Sequence, residues 1–263
     1  MASETGKSTA PARALEGRVV WVIGATGAIG LAIAAVLARE GASVIASGRK
    51  REVLDTLVAS IAAEGGRATA RALDICDGAD VERACGEIIT SFGRIDGLVN
   101  STALPTFGDF LKLTDAQWLQ VLDAKLLGYV RTMRAVLPQM LERGAGSIVN
   151  ISGRGGRQPT PAHLPGGSAN AAVNLITKGI ADSYFKQGVR ANVVAPGPIV
   201  SARFDKIRTT NDQLAGGERP RASLDHLGRP EDVAEAVAWL LSDASRHTTG
   251  AVIPVDGGGV ATV

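Results

Sequence analysis

The chain has 263 residues, of which 45% are hydrophobic and 21% charged, with 32 glycines and a formal net charge of +2. This length and apolar content suffice for one large α/β domain or two small ones. Because the net charge is close to zero, we expect neither a nucleic-acid partner nor a membrane surface as partner.

The N-terminal segment 1–15 is polar and has no apolar run like that of a signal peptide. We therefore expect a flexible tail and a cytoplasmic protein. The two cysteines, Cys76 and Cys85, form no Cys-x-x-Cys pair and no Cys/His cluster. This spacing predicts free thiols, with no metal site and no disulfide framework.

The first apolar run, residues 19–38, carries no charge over a length that could span a bilayer. It begins with the β-branched stretch Val-Val-Trp-Val-Ile, three glycines interrupt it, and a helix-forming segment follows. A buried strand, a tight turn and a helix over 28–39 explain this pattern better than a membrane span.

The rest of the chain repeats this strand–helix unit. Further strands are predicted at 42–47, 68–74, 96–100, 146–152, 190–196 and 251–256, and further helices at 50–64, 78–92, 114–143, 166–187 and 230–243. The alternation predicts an α/β fold, a doubly wound parallel sheet of about seven strands with helices on both faces. Ligands of such sheets bind at the carboxyl ends of the strands. We expect a single domain over 16–263, with a substrate lid around 197–229, where no periodicity is visible.

A glycine-rich stretch, Gly-Ala-Thr-Gly-Ala-Ile-Gly at 24–30, follows the first predicted strand directly. Glycines three residues apart let the backbone turn tightly and approach a pyrophosphate, which would lie at the N-terminus of the following helix. The residues predicted to contact the cofactor here are Gly24, Thr26, Gly27, Ala28, Ile29 and Gly30.

The second predicted strand ends in Ser47-Gly48-Arg49-Lys50. NAD-specific sheets of this kind carry a carboxylate here for the ribose hydroxyls, whereas a guanidinium suits a 2′-phosphate. We therefore predict NADP(H) as the cofactor, with Ser47, Arg49 and Lys50 in its site. The alternative is that the two cations are solvated residues at the start of a helix.

Taken together, these motifs resemble the short-chain dehydrogenase/reductase family, which has a Rossmann-type fold, from about Glu16 to the end of the chain. Asp74-Ile75 resembles the pair that holds the adenine, and Asn100-Ser101-Thr102-Ala103 is a degraded form of the stretch Asn-Asn-Ala-Gly. The segment Leu-Gly-Arg-Pro-Glu-Asp at 227–232 opens a specific match to the C-terminal part of the family. Ala28 departs from the pattern, because single-domain members usually have glycine there.

The same resemblance extends to Pro-Gly-Pro-Ile-Val-Ser at 196–201, in which Ser201 would contact the nicotinamide amide. The further cofactor-binding residues that the resemblance implies are Asp74, Ile75, Asn100, Pro196, Gly197, Ile199 and Ser201.

The catalytic residues that the family resemblance implies are absent from this sequence. The resemblance implies a serine, a tyrosine, a lysine and a supporting asparagine, but these positions hold Gly153, Gly166, Asn170 and Lys125. One interpretation is that the catalytic site has decayed on a scaffold that still binds a nucleotide. The other is that lysine and asparagine have exchanged places, so that the Lys125 ammonium restores the positive charge near the ribose.

Three residues are candidates for the remaining chemistry. Tyr129 lies four residues after Lys125, so both share one helix face, and a nearby ammonium would lower the pKa of the phenol. His163 precedes the missing tyrosine and titrates near neutrality. Ser152 lies beside the serine position and could donate a hydrogen bond to a carbonyl. The alternatives are that Tyr129 packs against the sheet, that His163 is an ordinary loop residue, and that the Ser152 side chain points into the strand.

The charge pattern suggests an anionic substrate. No Asp or Glu occurs between Arg143 and Ala181, whereas Arg154 and Arg157 lie close to the predicted site. The predicted lid adds Arg203, Lys206, Arg208, Arg219 and Arg221, against the acidic residues Asp205, Asp212 and Glu218. Solvated surface charge is the alternative explanation.

Three functions therefore remain open: an NADP(H)-dependent oxidoreductase for a small carbonyl or alcohol, with atypical catalytic residues; a non-redox lyase, isomerase or dehydratase; and a nucleotide-binding protein without catalysis. The apolar helices 114–143 and 166–187 form the usual interface of the resembled family. We therefore expect a homotetramer or a homodimer.

Overall fold

Seven parallel strands form the single sheet of the computed structural model, which describes residues 13–201, 209 and 227–259. The strand order is β3-β2-β1-β4-β5-β6-β7, so the order reverses between β1 and β4 and opens a crevice at the carboxyl ends of the strands there. The strands are β1 Val19–Ile23, β2 Ser43–Gly48, β3 Arg67–Ala72, β4 Gly97–Asn100, β5 Gly146–Ile151, β6 Val189–Pro196 and β7 Val252–Val255.

Helices cover both faces of the sheet. They are α1 Ala28–Arg39, α2 Arg51–Ala63, α3 Gly78–Phe92, α4 Asp115–Val121, α5 Gly128–Arg143, α6 Leu164–Tyr184 and α7 Pro230–Leu241. One apolar core joins α1, α2 and α7 to the sheet, and a second joins α3, α5 and α6 to its other face. The predicted doubly wound α/β fold, with about seven parallel strands, is therefore confirmed.

The first strand shows why the apolar run 19–38 belongs inside a sheet. All five residues of β1 are buried, because β1 lies between β2 and β4 with helices on both faces. The one polar atom on its side chains, Nε1 of Trp21, donates a hydrogen bond of 2.9 Å to Oγ of Ser47. Among the described residues, no helix is long and apolar enough to cross a membrane.

The helix predicted over 114–143 is helical throughout 115–143, but it is not α-helical along its whole length. A π-helical segment, Leu122–Leu127, separates α4 from α5 and carries Lys125. Such wide turns often occur at functional sites. The first residue of α5, Gly128, packs tightly here, since a Cβ at this position would lie 2.8 Å from Cγ1 of Ile75.

The two ends of the predicted domain are only partly described. Leu15, which lies within the predicted tail, is buried and donates its N–H to the Glu40 carbonyl at 2.9 Å, so the core begins inside the range 1–15. Most of the predicted lid lies outside the described residues. Its described ends are joined, because the Val200 amide donates to Gly228 and the Gly228 amide donates to Pro198, both at 3.0 Å.

The edge of the sheet where the strands begin, the amino edge, is centred on Asp96. Its carboxylate accepts hydrogen bonds from the Val19 amide at 2.8 Å and from Arg94 and Arg143, each at 3.0 Å. Burial alone would raise the pKa of Asp96, but these hydrogen bonds outweigh it and hold the pKa below its usual value. Asp96 thus ties together the starts of β1 and β4 and the end of α5.

Candidate functional site

The glycine-rich loop between β1 and α1 is shaped by backbone contacts. Gly24 has a φ of +82°, and a Cβ there would lie 2.5 Å from the Ser101 carbonyl oxygen. A Cβ at Gly30 would overlap the Gly24 carbonyl oxygen. Only glycine fits at both positions, because the conformation of one and the surroundings of both exclude a side chain.

The loop leaves the N-terminus of α1 open. Gly27 is the N-cap residue and supplies no side-chain hydrogen bond, while Gly27 and Ala28 are both exposed. A Cβ at Gly27 would have its nearest neighbour at 3.7 Å, so there is space above the loop. The partly buried Thr26 and Ile29 flank it. Unsatisfied helix amides and a close backbone approach fit the pyrophosphate of a dinucleotide.

The end of β2 presents two cations to this crevice. Arg49 and Lys50 are exposed, and neither forms an ion pair with a described residue. Ser47 behaves differently from the prediction: its side chain is buried against Trp21, and its carbonyl oxygen accepts the Gly24 amide at 2.8 Å. Side chains alternate along a strand, so Ser47 points into the core and positions the loop through its backbone.

Of the two residues predicted to hold the adenine, one is exposed and the other is buried. Asp74 is exposed, and its carboxylate accepts the Cys76 amide at 3.0 Å. Ile75 is buried, and its carbonyl oxygen accepts a hydrogen bond of 3.3 Å from Arg131, which also contacts the carboxylate of Asp123 at 2.7 Å. Arg131 therefore connects this turn to the π-helical segment.

Asn100 belongs to a buried polar network below the crevice. Its Oδ1 accepts from Thr132 at 2.8 Å, and its Nδ2 donates to Asn150 at 2.9 Å. Asn150 in turn donates to Thr177 at 2.9 Å. The Asn100 side chain is thus hydrogen-bonded inside the protein, which the sequence did not reveal because its partners come from α5 and β5.

The segment after β6 forms the opposite wall of the crevice. Pro196 and Ile199 are buried, and a Cβ at Gly197 would lie 2.7 Å from Cα of Asp256. Ser201 is partly buried, and its hydroxyl donates to the Ile199 carbonyl at 3.1 Å. The cations predicted for the lid, Arg203, Lys206, Arg208, Arg219 and Arg221, lie outside the described residues.

Lys125 reaches the carboxyl end of β5. Its side chain is 6% exposed, and Nζ donates to the Ser152 carbonyl at 3.3 Å. Nζ also lies 5.9 Å from the centre of the Tyr129 ring, so the two side chains are neighbours as their spacing predicted. A buried ammonium is costly unless it is well solvated by polar groups, so its position at this edge points to a role in the crevice.

Tyr129 is packed into the protein. It is 1% exposed, and its hydroxyl contacts the carbonyl oxygens of Thr102 at 3.2 Å and Ile151 at 3.1 Å. The hydroxyl has one proton and lies between two acceptors, which fixes the loop after β4 to the end of β5. These contacts favour the packing interpretation of Tyr129 over proton transfer.

Two polar atoms of the site are buried and have no hydrogen-bond partner among the described residues: Oγ of Ser152 and Oδ1 of Asn170. The Ser152 residue is 7% exposed and the Asn170 residue 6%. A buried polar group without a partner costs about 1–3 kcal/mol, so a ligand that supplied one would be bound correspondingly better. Asn174, one turn further along α6, has a third such atom.

The glycine at the serine position makes room for Asn170. A Cβ at Gly153 would lie 3.0 Å from Nδ2 of Asn170, and a Cβ at Gly156 would lie 2.9 Å from Cβ of Asn170. The loop after β5 therefore packs closely on the first turns of α6. Lys125 contacts Ser152, and Asn170 packs close to Gly153. The two side chains therefore reach adjacent residues at the end of β5.

His163 is not an exposed loop residue. It is 9% exposed, directly precedes α6, and its ring lies 4.6 Å from that of Phe107. A Cβ at Gly166 would overlap Nε2 and Cε1 of the His163 ring. The imidazole thus occupies the start of the space that a tyrosine side chain at 166 would need.

Arg154 and Arg157 follow the strand end in a short 3₁₀ turn. Arg154 is half-buried and Arg157 exposed, and neither pairs with an acidic side chain of the described residues. The positive charge predicted beside the site is therefore not neutralised by any acidic side chain in the part of the chain that the structure describes.

Comparison with known proteins agrees with this architecture. Residues 24–259 match the family model described as enoyl-(acyl carrier protein) reductase. A 3-oxoacyl-[acyl-carrier-protein] reductase of Thermotoga maritima is 32% identical over 93% of this chain and 98% of its own length. A 2-(S)-hydroxypropyl-CoM dehydrogenase of Xanthobacter autotrophicus is 31% identical over 93% of this chain and 97% of its own.

Solved structures give the same result. A short-chain dehydrogenase/reductase of Burkholderia xenovorans superposes with a TM-score of 0.87 at 33% identity, over 96% of this chain and 100% of that one. An NAD(P)-dependent gluconate 5-dehydrogenase of Beutenbergia cavernae, with NADP bound at low occupancy, also has a TM-score of 0.87, at 30% identity over 95% and 100% of the two chains. The chain therefore belongs to the short-chain dehydrogenase/reductase family.

Proposed function

We propose that this protein is an NADP(H)-dependent oxidoreductase that interconverts a carbonyl and an alcohol on a small molecule, with atypical residues around the reacting oxygen. The observation that carries the proposal is the buried Lys125 ammonium at the end of β5, close to two buried oxygens that have no hydrogen-bond partner among the described residues, Oγ of Ser152 and Oδ1 of Asn170. A decayed site would have no reason to keep a desolvated charge beside unsatisfied polar atoms.

Several features support NADP(H) as the cofactor. The glycine-rich loop and the open N-terminus of α1 suit a pyrophosphate, Arg49 and Lys50 suit a 2′-phosphate, and Ser201 suits the nicotinamide amide. One structural relative carries NADP. When bound, the nicotinamide supplies or accepts the hydride.

The chain itself supplies charge and hydrogen bonds around the substrate oxygen. The Lys125 ammonium stabilises negative charge at the strand end, and Ser152 Oγ donates a hydrogen bond to a carbonyl oxygen. The Asn170 Oδ1 accepts a hydrogen bond from a hydroxyl of the ligand. Arg154 and Arg157, which pair with no acidic side chain among the described residues, attract an anionic substrate.

The relatives' names are consistent with this reaction class. One is named for a 3-oxoacyl group, one for a 2-hydroxypropyl group and one for gluconate. The replacement of two family positions by Gly153 and Gly166 instead favours the second candidate, a non-redox enzyme or a binding protein on the same scaffold.

NADPH binding, followed by NADPH consumption with a panel of carbonyl compounds and acyl thioesters, tests the proposal. We expect tight NADPH binding and consumption with at least one anionic member of the panel. Product formation without net NADPH consumption would identify a non-redox enzyme. Binding without any turnover would identify a nucleotide-binding protein.

We also propose a homotetramer or homodimer. Three large apolar side chains are exposed on the surface formed by α4, the π-helical segment and α6: Leu119 at 64%, Leu127 at 47% and Leu175 at 75%. Self-association would remove this surface from water. Light scattering at micromolar concentration tests it, and a monomeric mass would contradict it.

A further inference from the structure

The glycine at position 166 is explained by a side chain from outside its helix. A Cβ added to Gly166 would overlap two ring atoms of His163, so the ring would have to shift to make room for it. Residue 166 can therefore have a side chain only if the imidazole moves from its present position. The position of the His163 ring therefore explains why residue 166 is a glycine, which the loss of a tyrosine alone does not explain.

Contacts from the loop after β4 hold the imidazole in place. Nδ1 lies 3.2 Å from the Thr106 carbonyl oxygen, and the Phe107 ring packs at 4.6 Å. A second bond fixes this loop to the same segment, since the Gly108 amide donates to the Ala162 carbonyl at 3.0 Å. The loop after β4 thus positions the ring through one hydrogen bond and one ring contact, and a backbone hydrogen bond joins this loop to the segment that carries His163.

The Thr106 contact also defines the tautomer. A carbonyl oxygen only accepts hydrogen bonds, so Nδ1 must carry the proton that it donates. The neutral ring then has its lone pair on Nε2, on the edge that faces Gly166. A histidine whose Nδ1–H is held by a backbone carbonyl is set up to exchange a proton at Nε2.

We propose that His163 is the proton-transfer residue of this site, in the place of the tyrosine that the family resemblance implies at 166. In reduction, Nε2–H of the imidazolium gives its proton to the substrate oxygen as the carbonyl carbon receives the hydride, which yields an alcohol and neutral imidazole. Water then reprotonates Nε2. In oxidation the neutral Nε2 takes the hydroxyl proton. This inference rests on the proposed oxidoreductase function.

The position of the His163 ring can be tested through the melting temperature, which requires no enzymatic activity. Gly166→Ala should lower the melting temperature of the wild type, because its Cβ meets the ring, but should not lower it in a His163→Ala background. Gly179→Ala is the matched control on α6, because a Cβ there meets nothing within 4 Å. It should have the same small effect in both backgrounds. Equal penalties for Gly166→Ala in the two backgrounds would overturn the proposed position of the ring.

The chemical role is tested with His163→Asn, whose amide can keep the Thr106 hydrogen bond but cannot transfer a proton near neutral pH. We expect turnover to fall by about a hundredfold or more, while NADPH affinity is unchanged. His247→Asn is the control, since that histidine is exposed and packs only edge-on to Phe185 among its described aromatic contacts. If His163→Asn turns over as fast as His247→Asn, His163 is not the proton-transfer residue, although the oxidoreductase function stands. A wild type that binds NADPH but reduces nothing would instead end the proposed function, and the role of His163 with it.

Discussion

The two edges of the sheet differ in whether their buried polar groups have hydrogen-bond partners among the described residues. At the amino edge, the Asp96 carboxylate accepts three hydrogen bonds, and the buried Arg190 donates to the carbonyl oxygens of Leu240, Ser242 and Thr248 at 2.8 to 3.2 Å. At the carboxyl edge, Ser152 and Asn170 each bury an oxygen that no described residue satisfies. Within the described part of the chain, Asp96 and Arg190 at the amino edge have their hydrogen-bond partners, whereas the carboxyl edge leaves two oxygens available to a ligand, so the first edge should determine stability and the second binding.

The largest expected effect is on the amino edge. Asp96→Ala leaves Arg94, Arg143 and the Val19 amide without their acceptor and should lower the free energy of unfolding by about 3–5 kcal/mol, because two charge-assisted hydrogen bonds and one bond from a buried amide are lost together. Chemical denaturation measures the change. If the comparison holds, NADPH affinity of the protein that remains folded is unaltered. A loss below about 1 kcal/mol, typical of exposed ion pairs, would contradict the structural role of this edge.

Lys125 offers the corresponding test on the carboxyl edge. Lys125→Met keeps most of the side-chain stem and removes the charge, so NADPH affinity or turnover should fall about ten- to a hundredfold, or about 1.5–3 kcal/mol. Stability should be retained, because an apolar group replaces a buried charge. Lys178→Met is the control, since that lysine lies on the surface of α6 and pairs with Asp182. Normal binding and turnover in Lys125→Met would favour the decayed site.

The nucleotide end of the crevice can be tested separately. Arg49→Ala should lose about 1–3 kcal/mol of affinity for NADPH and little for NADH, because only the 2′-phosphate needs the guanidinium. Arg51→Ala is a close control, since Arg51 pairs with Asp55 at 2.8 Å. Titration of both cofactors measures the difference. Equal wild-type affinities for NADPH and NADH would show that Arg49 and Lys50 are solvated surface residues.

The amino edge also predicts how stability depends on acid. The folded pKa of Asp96 lies below its unfolded value of about 3.9, so its stabilising contribution is complete above that pH and is lost as the pH falls through the folded pKa. Unfolding measured between neutral pH and strong acid should therefore show a smaller acid-induced loss in Asp96→Asn than in the wild type. Parallel curves for both proteins would contradict this assignment.

The sequence predicted well what depends on the backbone. The glycines of the loop 24–30 and the alternation of strands and helices are local patterns, and both the sheet and the α1 terminus follow from them. Side chains that meet across elements were less predictable. Ser47 and Asn100 were assigned to the cofactor, but their side chains face inward to Trp21 and Thr132.

Glycines at lost catalytic positions were the hardest to interpret. Gly166 indicates which side chain is missing but not which one fills the space, because His163 reaches it through the fold of the loop preceding α6. The Asp96 network could not be predicted from the sequence for a similar reason. Arg143 lies 47 residues from Asp96 along the chain and contacts it only when α5 packs on the sheet. Such contacts between different elements leave no short motif in the sequence.

A double-mutant cycle on Lys125 and Asn170 tests most directly whether the site is rearranged or decayed. NADPH affinity and turnover are measured for the wild type, Lys125→Asn, Asn170→Lys and the double variant, which restores the family pattern. If the two residues serve one site, Asn170→Lys recovers a substantial part of what Lys125→Asn loses, so the effects are strongly non-additive. If the effects of the two substitutions simply add, or if Lys125→Asn loses nothing, the exchange is coincidental and the rearranged site is wrong.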